Sequence, residues 1–236
     1  LKVAGVYQVM QVPAHPGVLG GNFEGVAVLA RDYWSAEQGR AALKIRWSES
    51  RFAGFNSAAL GAEQAKYLES ANAALVPTIV SGNVEAHWPQ AGTLLEANYL
   101  MPYKVQNPLE PLCITAWVKD GGISYWGGVQ VPSSAREAAQ VVCGIPMEKV
   151  TINDMVSGGS FGARESKYWL FEVAYLANKT GKPVKLINSR KDEMRSLFGH
   201  PATFHTLKGA LDVQGKHSAL KLRAVSPASP EEWEPG

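Results

Sequence analysis

Residues Val150 to Gly162, reading Val-Thr-Ile-Asn-Asp-Met-Val-Ser-Gly-Gly-Ser-Phe-Gly, carry the pattern in this 236-residue chain that best suits chemistry. Gly158, Gly159 and Gly162 fall within five positions, and glycine takes positive φ, or a close approach to another surface, without steric cost. A helix read from Ala163 to Asn178 would aim free N–H groups and the positive end of its dipole at whatever fills the turn. The chemistry to expect is the binding of an anionic cofactor. Such a turn also serves plain close packing in α/β proteins, so the residues alone leave both readings open. No Gly-Lys-Ser/Thr follows the glycines and the spacing is not Gly-x-Gly-x-x-Gly, which removes the two common nucleotide signatures. Arg164 stands where a helix dipole disfavours a cation, so it is expected to serve an anion or an acidic partner. Glu165 reads first as an acid suited to a helix N-terminus, and a substrate-facing role is its second reading.

The elements that must position this turn follow from periodicity. Val150 and Ile152 alternate as a strand leading into it. The helix behind it is apolar almost all round, from Tyr168 through Leu176, and belongs inside an assembly. Upstream, Leu112–Val118 and Ile123–Trp126 read as a hairpin closed at Asp120-Gly121. Gln130 follows at the end of the second strand, where its amide offers both a donor and an acceptor; on its own it reads as a solvated polar group near a helix start. Ser134 with Glu137 forms a capping box for a helix that Gly144 and Pro146 close. Tyr103–Pro111, with its Asn107-Pro108 pair, must be irregular. Glu110 within it is expected to be a structural acceptor that ties the loop down.

Flanking segments complete a mixed α+β chain. Val3–Val12 and Val26–Ala30 read as strands around a Pro/Gly loop at 13–21, and Ser35 with Gln38 caps a helix over Ala36–Leu43. Lys44–Trp47 then returns to strand, giving a β-β-α-β unit. Asn56 or Ser57 caps a helix over Ala58–Ala73, and Thr78–Val84 and Thr93–Met101 read as extended. Val184–Ile187 is a buried strand, Arg190–Phe198 a short charged helix, and Thr203–Asp212 and Ser218–Val225 a final hairpin.

Bulk properties narrow the partners. A hydrophobic content of 46% supports a proper core, and a net charge of +2 gives no reason to expect nucleic acid or an anionic membrane. Cys113 and Cys143 are too far apart for a Cys-x-x-Cys site, so this chain alone builds neither an iron–sulfur cluster nor a structural zinc. They read as small buried hydrophobes, with a disulfide between them as the alternative. His200, His205 and His217 share no metal-ligand spacing. No apolar run reaches the ~20 residues that a membrane span needs. Leu1 opens what reads as a strand and Ser226 to Pro235 is rich in Pro and Glu, so the chain is expected to be part of a longer subunit.

Gly158-Gly159-Ser160-Phe161-Gly162-Ala163-Arg164-Glu165 resembles the Gly-Gly-Gly-Phe-Gly signature of the molybdopterin-binding subunit of the xanthine dehydrogenase and aldehyde oxidase family. Trp126 to Pro132, Gly181 to Leu186 and Ser189 to Met194 support it in the expected order. Asn107 to Pro111 and His200-Pro201-Ala202 incline it to the isoquinoline 1-oxidoreductase β-subunit branch. Ser160 departs from the usual third glycine, and Gln106 stands where relatives place a histidine.

The resemblance implies a hammerhead-like portion over residues 1–50, a linker with a helix over 51–92, and the first part of a molybdopterin-binding α/β domain over 93–236, with a boundary nearer Arg51 as the alternative to one near Gly92. It implies a molybdenum-bearing molybdopterin, in the cytosine dinucleotide form, held by Gln130, Gly158, Gly159, Ser160, Phe161, Gly162, Ala163 and Arg164. Gln130 would lie beside the metal's oxo ligand and Phe161 would approach the pterin. The family's catalytic base is a glutamate near the large subunit's C-terminus, so no catalytic and no metal-ligating residue is expected in this chain. The whole enzyme would hydroxylate an aldehyde or N-heterocycle with oxygen from water. Its partners would be the remainder of the large subunit, a small subunit carrying [2Fe-2S] clusters, and a small-molecule substrate. A bacterial periplasmic or membrane-associated setting is suggested, with the cytoplasm also open. Two other classes fit the same turn: a nucleotide-binding α/β enzyme, or a non-catalytic scaffold.

Overall fold

A computed structural model describes residues 3–15, 22–49, 53–70, 76–195 and 199–227. In chain order it contains β1 (Val6–Val12), β2 (Gly25–Ala30), α1 (Tyr33–Ala41), α2 (Ser57–Glu69), β3 (Thr93–Met101), β4 (Cys113–Lys119) and β5 (Gly122–Gly127). There follow α3 (Pro132–Cys143), β6 (Val150–Asp154), α4 (Tyr168–Thr180), β7 (Val184–Ile187), α5 (Arg190–Glu193), β8 (Thr203–Leu211) and β9 (His217–Val225). The chain divides into two compact units, Leu1–Ser48 with Val105–Gly199, and Glu49–Lys104 with His200–Ala228.

The first unit is built on a four-stranded sheet ordered β6-β5-β4-β7. β4 runs antiparallel to β5 and β7, and β6 lies parallel to β5 after the crossover through α3. Alternation sends Ile114 and Ala116 of β4, Ile123 and Tyr125 of β5, and Val184 of β7 to one buried face. α4 packs there and buries Trp169, Leu170, Phe171, Val173 and Ala174 completely. At roughly 1.5–3 kcal/mol for each large apolar side chain removed from water, this helix is the main anchor of the unit. α3 lies against α4 and ends on Gly144 at φ 67, the left-handed cap that favours glycine. The β1-β2 hairpin adds Val12 and Leu29 to the same core. The second unit is a three-stranded antiparallel sheet, β3-β8-β9, with α2 against β8 and β9.

Several local expectations change. Lys44–Trp47 forms no strand, so the first elements are β-β-α; the side chains from Lys44 to Trp47 are exposed, and no sheet edge among the described residues takes them up. α1 is capped by Asp32, whose carboxylate accepts from Ser35 N at 2.7 Å, and not by Ser35. Ser134 caps nothing because α3 opens two residues earlier at Pro132, and Glu137 pairs with Lys167 at 2.7 Å. Thr78–Val84 is irregular and leads into short 3-10 turns at Val84–Ala86 and Trp88–Gln90. Asn56 caps α2 as expected. The expected ends of the helices at residues 71–73 and 196–198, the loop at 16–21 and the tail from 228 lie outside the described residues.

Candidate functional site

Three loops at one end of the four-stranded sheet meet around Arg164. The first is the irregular segment ending in Glu110, the second is Gly128–Val131 after β5, and the third is the glycine turn after β6. Each is anchored by its own chemistry. Arg190 donates to the carbonyls of Pro108 at 2.7 Å and Leu109 at 2.9 Å and to the Asn107 side chain, which fixes the first loop. Asp154 accepts from Val129 N at 3.0 Å, which fixes the second. Met155 N donates to Gly127 O at 3.1 Å, so the third begins in register with β5.

Arg164 closes the constellation. With only 1% of its side chain exposed, it donates to Gly159 O at 3.0 Å, Gly128 O at 3.3 Å, Glu110 O at 3.3 Å and the Glu110 carboxylate at 2.8 Å. Its acidic partner is therefore Glu110. The guanidinium holds the loops that form the turn and does not face the turn's opening, so it is a positioning residue. Glu110 also accepts from Gly158 N at 2.7 Å. That bond, with help from Cys113 and Arg164, holds its carboxyl below the ordinary carboxylate range against the opposing effect of burial. A Cβ on Gly158 would lie 2.6 Å from Glu110 Cβ; close approach is what requires glycine there. Cys113 and Cys143 are free, half-buried thiols. Burial pushes both up, Cys143 to about 11.

The turn itself differs from a simple helix start. Ala163–Glu165 is a 3-10 turn, Ser166 is extended at ψ 135, and α4 begins at Tyr168. The break after Glu165 moves the α-helical dipole away from the glycines. The donors at the turn are backbone amides instead. Gly159 at φ 94, Phe161 at φ 53 and Gly162 at φ 93 take left-handed conformations. Among the described residues, the N–H groups of Gly159, Ser160, Phe161 and Gly162 donate to no protein acceptor. Successive unpaired amides in such a conformation form an anion-binding concavity.

Ser160 supplies a link that a glycine there would lack. Its hydroxyl donates to Gln130 Oε1 and accepts from Arg164 N at 3.1 Å. With Oε1 engaged, Gln130 Nε2 is left as a donor beside the turn without an acceptor among the described residues. Phe161 is 67% exposed despite its left-handed backbone, so an aromatic face is held in the open at some conformational cost. Gln106 Nε2 and the Glu165 carboxylate both lie near Gly162, at 3.9 and 3.8 Å from the position of a Cβ there. Ala163 is buried. The structure thus brings together Gln130 and residues 158–162, with Glu165 exposed at the rim and Ala163 and Arg164 behind them. Sequence reading gave no individual role to Arg190 or Asp154; the one available signal was the Ser189–Met194 segment, noticed only as a pattern.

Comparison with known proteins gives a concordant picture. The molybdopterin cofactor-binding domain family matches residues 67–233. The chain is 30% identical over 148 residues to a probable xanthine dehydrogenase subunit of Bacillus subtilis, covering 62% of this chain and 20% of that protein. It is 26% identical over 208 residues to the isoquinoline 1-oxidoreductase subunit beta of Brevundimonas diminuta, covering 82% and 24%. Among solved structures it superposes on the aldehyde oxidoreductase of Desulfovibrio gigas with a TM-score of 0.70 at 17% identity, over 95% of this chain and 28% of that one. The chain therefore spans about a quarter of the length of these proteins. No helix among the described residues is long and apolar enough to cross a membrane.

Proposed function

The chain belongs to the molybdopterin cofactor-binding domain family, and from that premise we propose that it supplies one wall of a molybdenum–pterin site in a molybdenum-dependent oxidoreductase. The observation that carries the reading is the row of unpaired amides from Gly159 to Gly162 beside the Nε2 of Gln130. Donors without a protein acceptor suit an anionic, oxygen-rich group, and this donor set fits a molybdopterin. When bound, that group supplies two-electron redox chemistry. The chain's own residues would bind and orient it: the turn amides would hold negative charge, Gln130 Nε2 would donate to an oxygen of the group, and the Phe161 ring would shield one side from water. Arg164 and Ser160 act behind them by fixing the loops and the Gln130 rotamer. Glu165 at the rim is assigned toward the substrate.

The finer features rest on the isoquinoline 1-oxidoreductase resemblance. They are a cytosine dinucleotide form of the cofactor, [2Fe-2S] clusters on a small partner subunit, an aldehyde or N-heterocycle as substrate with oxygen taken from water, and a periplasmic or membrane-associated setting. Residues 1–50 are the hammerhead-like portion, 51–92 the linker and 93–236 the first part of the cofactor domain; the family match from residue 67 takes in part of that linker.

Metal and pterin analysis of the full-length subunit, produced with its neighbour, tests the assignment. Molybdenum and pterin in stoichiometric amounts are expected, and the absence of both refutes it. Thermal stabilisation by ATP or NAD but not by molybdopterin cytosine dinucleotide would turn the same amides toward a nucleotide. No shift with any of these ligands would leave a scaffold.

A further inference from the structure

Two sheets of the first unit end on strands with one side unpaired among the described residues, β2 in the two-stranded sheet and β7 in the four-stranded one. Both edges border a single cavity of about 740 Å³, which is lined by every residue from Gly25 to Ala30 and from Pro183 to Asn188. Tyr168, Glu172 and Leu176 of α4 also line it, and their four-residue spacing puts them on one helix face. A row of unpaired peptide groups is a template for another strand.

A second observation concerns charge. Glu172 is enclosed by protein yet reached from the cavity, and its carboxylate makes no hydrogen bond or ion pair with the described residues. Burial, with a contribution from Asp192, pushes it up to about 7. The other acids on the lining are matched: Asp32 pairs with Arg31, and Glu37 and Asp192 both pair with Arg40. Lys185 alternates with buried Val184 and so lies on the sheet face away from α4. Among the described residues, Glu172 is left as the lining acid without a cation.

We propose that this cavity seats one further β-strand, supplied by the same longer polypeptide outside residues 1–236, which pairs with β2 on one side and β7 on the other and presents a Lys or Arg to Glu172. The relatives and the solved structure, of which this chain covers 20%, 24% and 28%, are long enough to provide it. The inserted strand joins both sheets into one over α4. The inference rests on the reading of the chain as part of a longer subunit, and not on the cofactor.

Residue-resolved hydrogen exchange on this chain and on the full-length subunit tests it. The cavity-facing amides of residues 25–30 and 184–187 are expected to exchange freely in the chain alone and roughly tenfold or more slowly in the full-length subunit. Glu172→Gln should leave exchange in the chain alone unchanged and reduce the protection in the full-length subunit. Equal exchange in both overturns the proposal. So does protection that needs the small subunit, or protection that grows with concentration, since either makes the occupant another molecule. Molybdenum content in the same sample separates the two claims: protection without molybdenum sinks the cofactor reading alone, and molybdenum without protection sinks the strand alone.

Discussion

Replacing Arg164 by Met keeps most of the side chain's length and removes its charge and all four of its hydrogen bonds. At about 1 kcal/mol net for each bond, the loss would be about 4 kcal/mol. Two features lower it. The Glu110 side chain is 38% exposed, so the ion pair is worth closer to the ~0–1 kcal/mol of a surface pair, and a methionine recovers some burial. Against this, the Gly128, Gly159 and Glu110 carbonyls each lose a donor. A net cost of about 3 kcal/mol is expected, which for a chain of this size lowers Tm by roughly 6–12 °C. Arg164→Lys should recover less than half of it, because one ammonium cannot span acceptors on three loops. Urea unfolding of both variants, with Glu110→Gln to complete a double-mutant cycle, measures these values; the coupling between positions 110 and 164 should be about 1 kcal/mol. A cost below about 1 kcal/mol for Arg164→Met, or strict additivity with Glu110→Gln, would refute the view that this guanidinium holds the three loops.

Phe161→Gly removes an L side chain from a left-handed backbone at an exposed position. Stability should be unchanged or rise by up to about 1 kcal/mol while cofactor retention by the full-length subunit falls, so thermal melts and molybdenum content should move in opposite directions. Ser160→Ala loses the acceptor for Arg164 N and the anchor of Gln130; a cost of about 1 kcal/mol and weaker cofactor retention are expected by equilibrium dialysis. Tyr125 is fully buried with no partner for its hydroxyl among the described residues, so Tyr125→Phe should be neutral or up to about 1 kcal/mol stabilising in urea melts. Glu172 has an ordinary value of 4.5 and is raised to about 7 in the fold. Its contribution is therefore complete below about pH 4.5 and is lost as pH rises through about 7. Melts of this chain at pH 5 and pH 8 should show a decline, on the order of 3 kcal/mol at most, that Glu172→Gln abolishes.

The strands and the apolar helix were legible because their signals are local. The Asp120-Gly121 hairpin, the alternation in β4 and β5 and the apolar run from Tyr168 each follow from side chains within one element. What sequence hid was set by partners far along the chain. Lys44–Trp47 has strand-like alternation but no edge to join among the described residues. Ser134 with Glu137 has capping-box spacing, but Pro132 starts the helix earlier and Lys167, thirty residues on, takes the carboxylate. The dipole argument for Arg164 called for an anion or an acidic partner and could not choose between them, because it counts only the residue's own helix. The acidic partner, Glu110, sits 54 residues away, and the Gly128 carbonyl 36.

Position 160 shows how a departure from a family pattern can be compensated locally. A third consecutive glycine would widen the backbone freedom of a turn that already holds Gly159 and Gly162 in left-handed conformations. Serine narrows it, and its hydroxyl converts a flexible amide at Gln130 into an oriented donor by occupying Oε1. The same hydroxyl accepts from Arg164 N, so the residue that orients Gln130 is bonded to the residue that holds the loops. Gln106, at the position where the family resemblance implies a histidine, likewise brings an amide close to Gly162. A histidine there could change charge near neutral pH, whereas a glutamine cannot. The donor set of this turn is therefore fixed across the physiological range, and retention of an anionic cofactor should show no step between pH 6 and 8 attributable to position 106. A Gln106→His variant should introduce one, read as molybdenum retained by the full-length subunit after dialysis at each pH, and an unchanged flat profile in that variant would place position 106 outside the site.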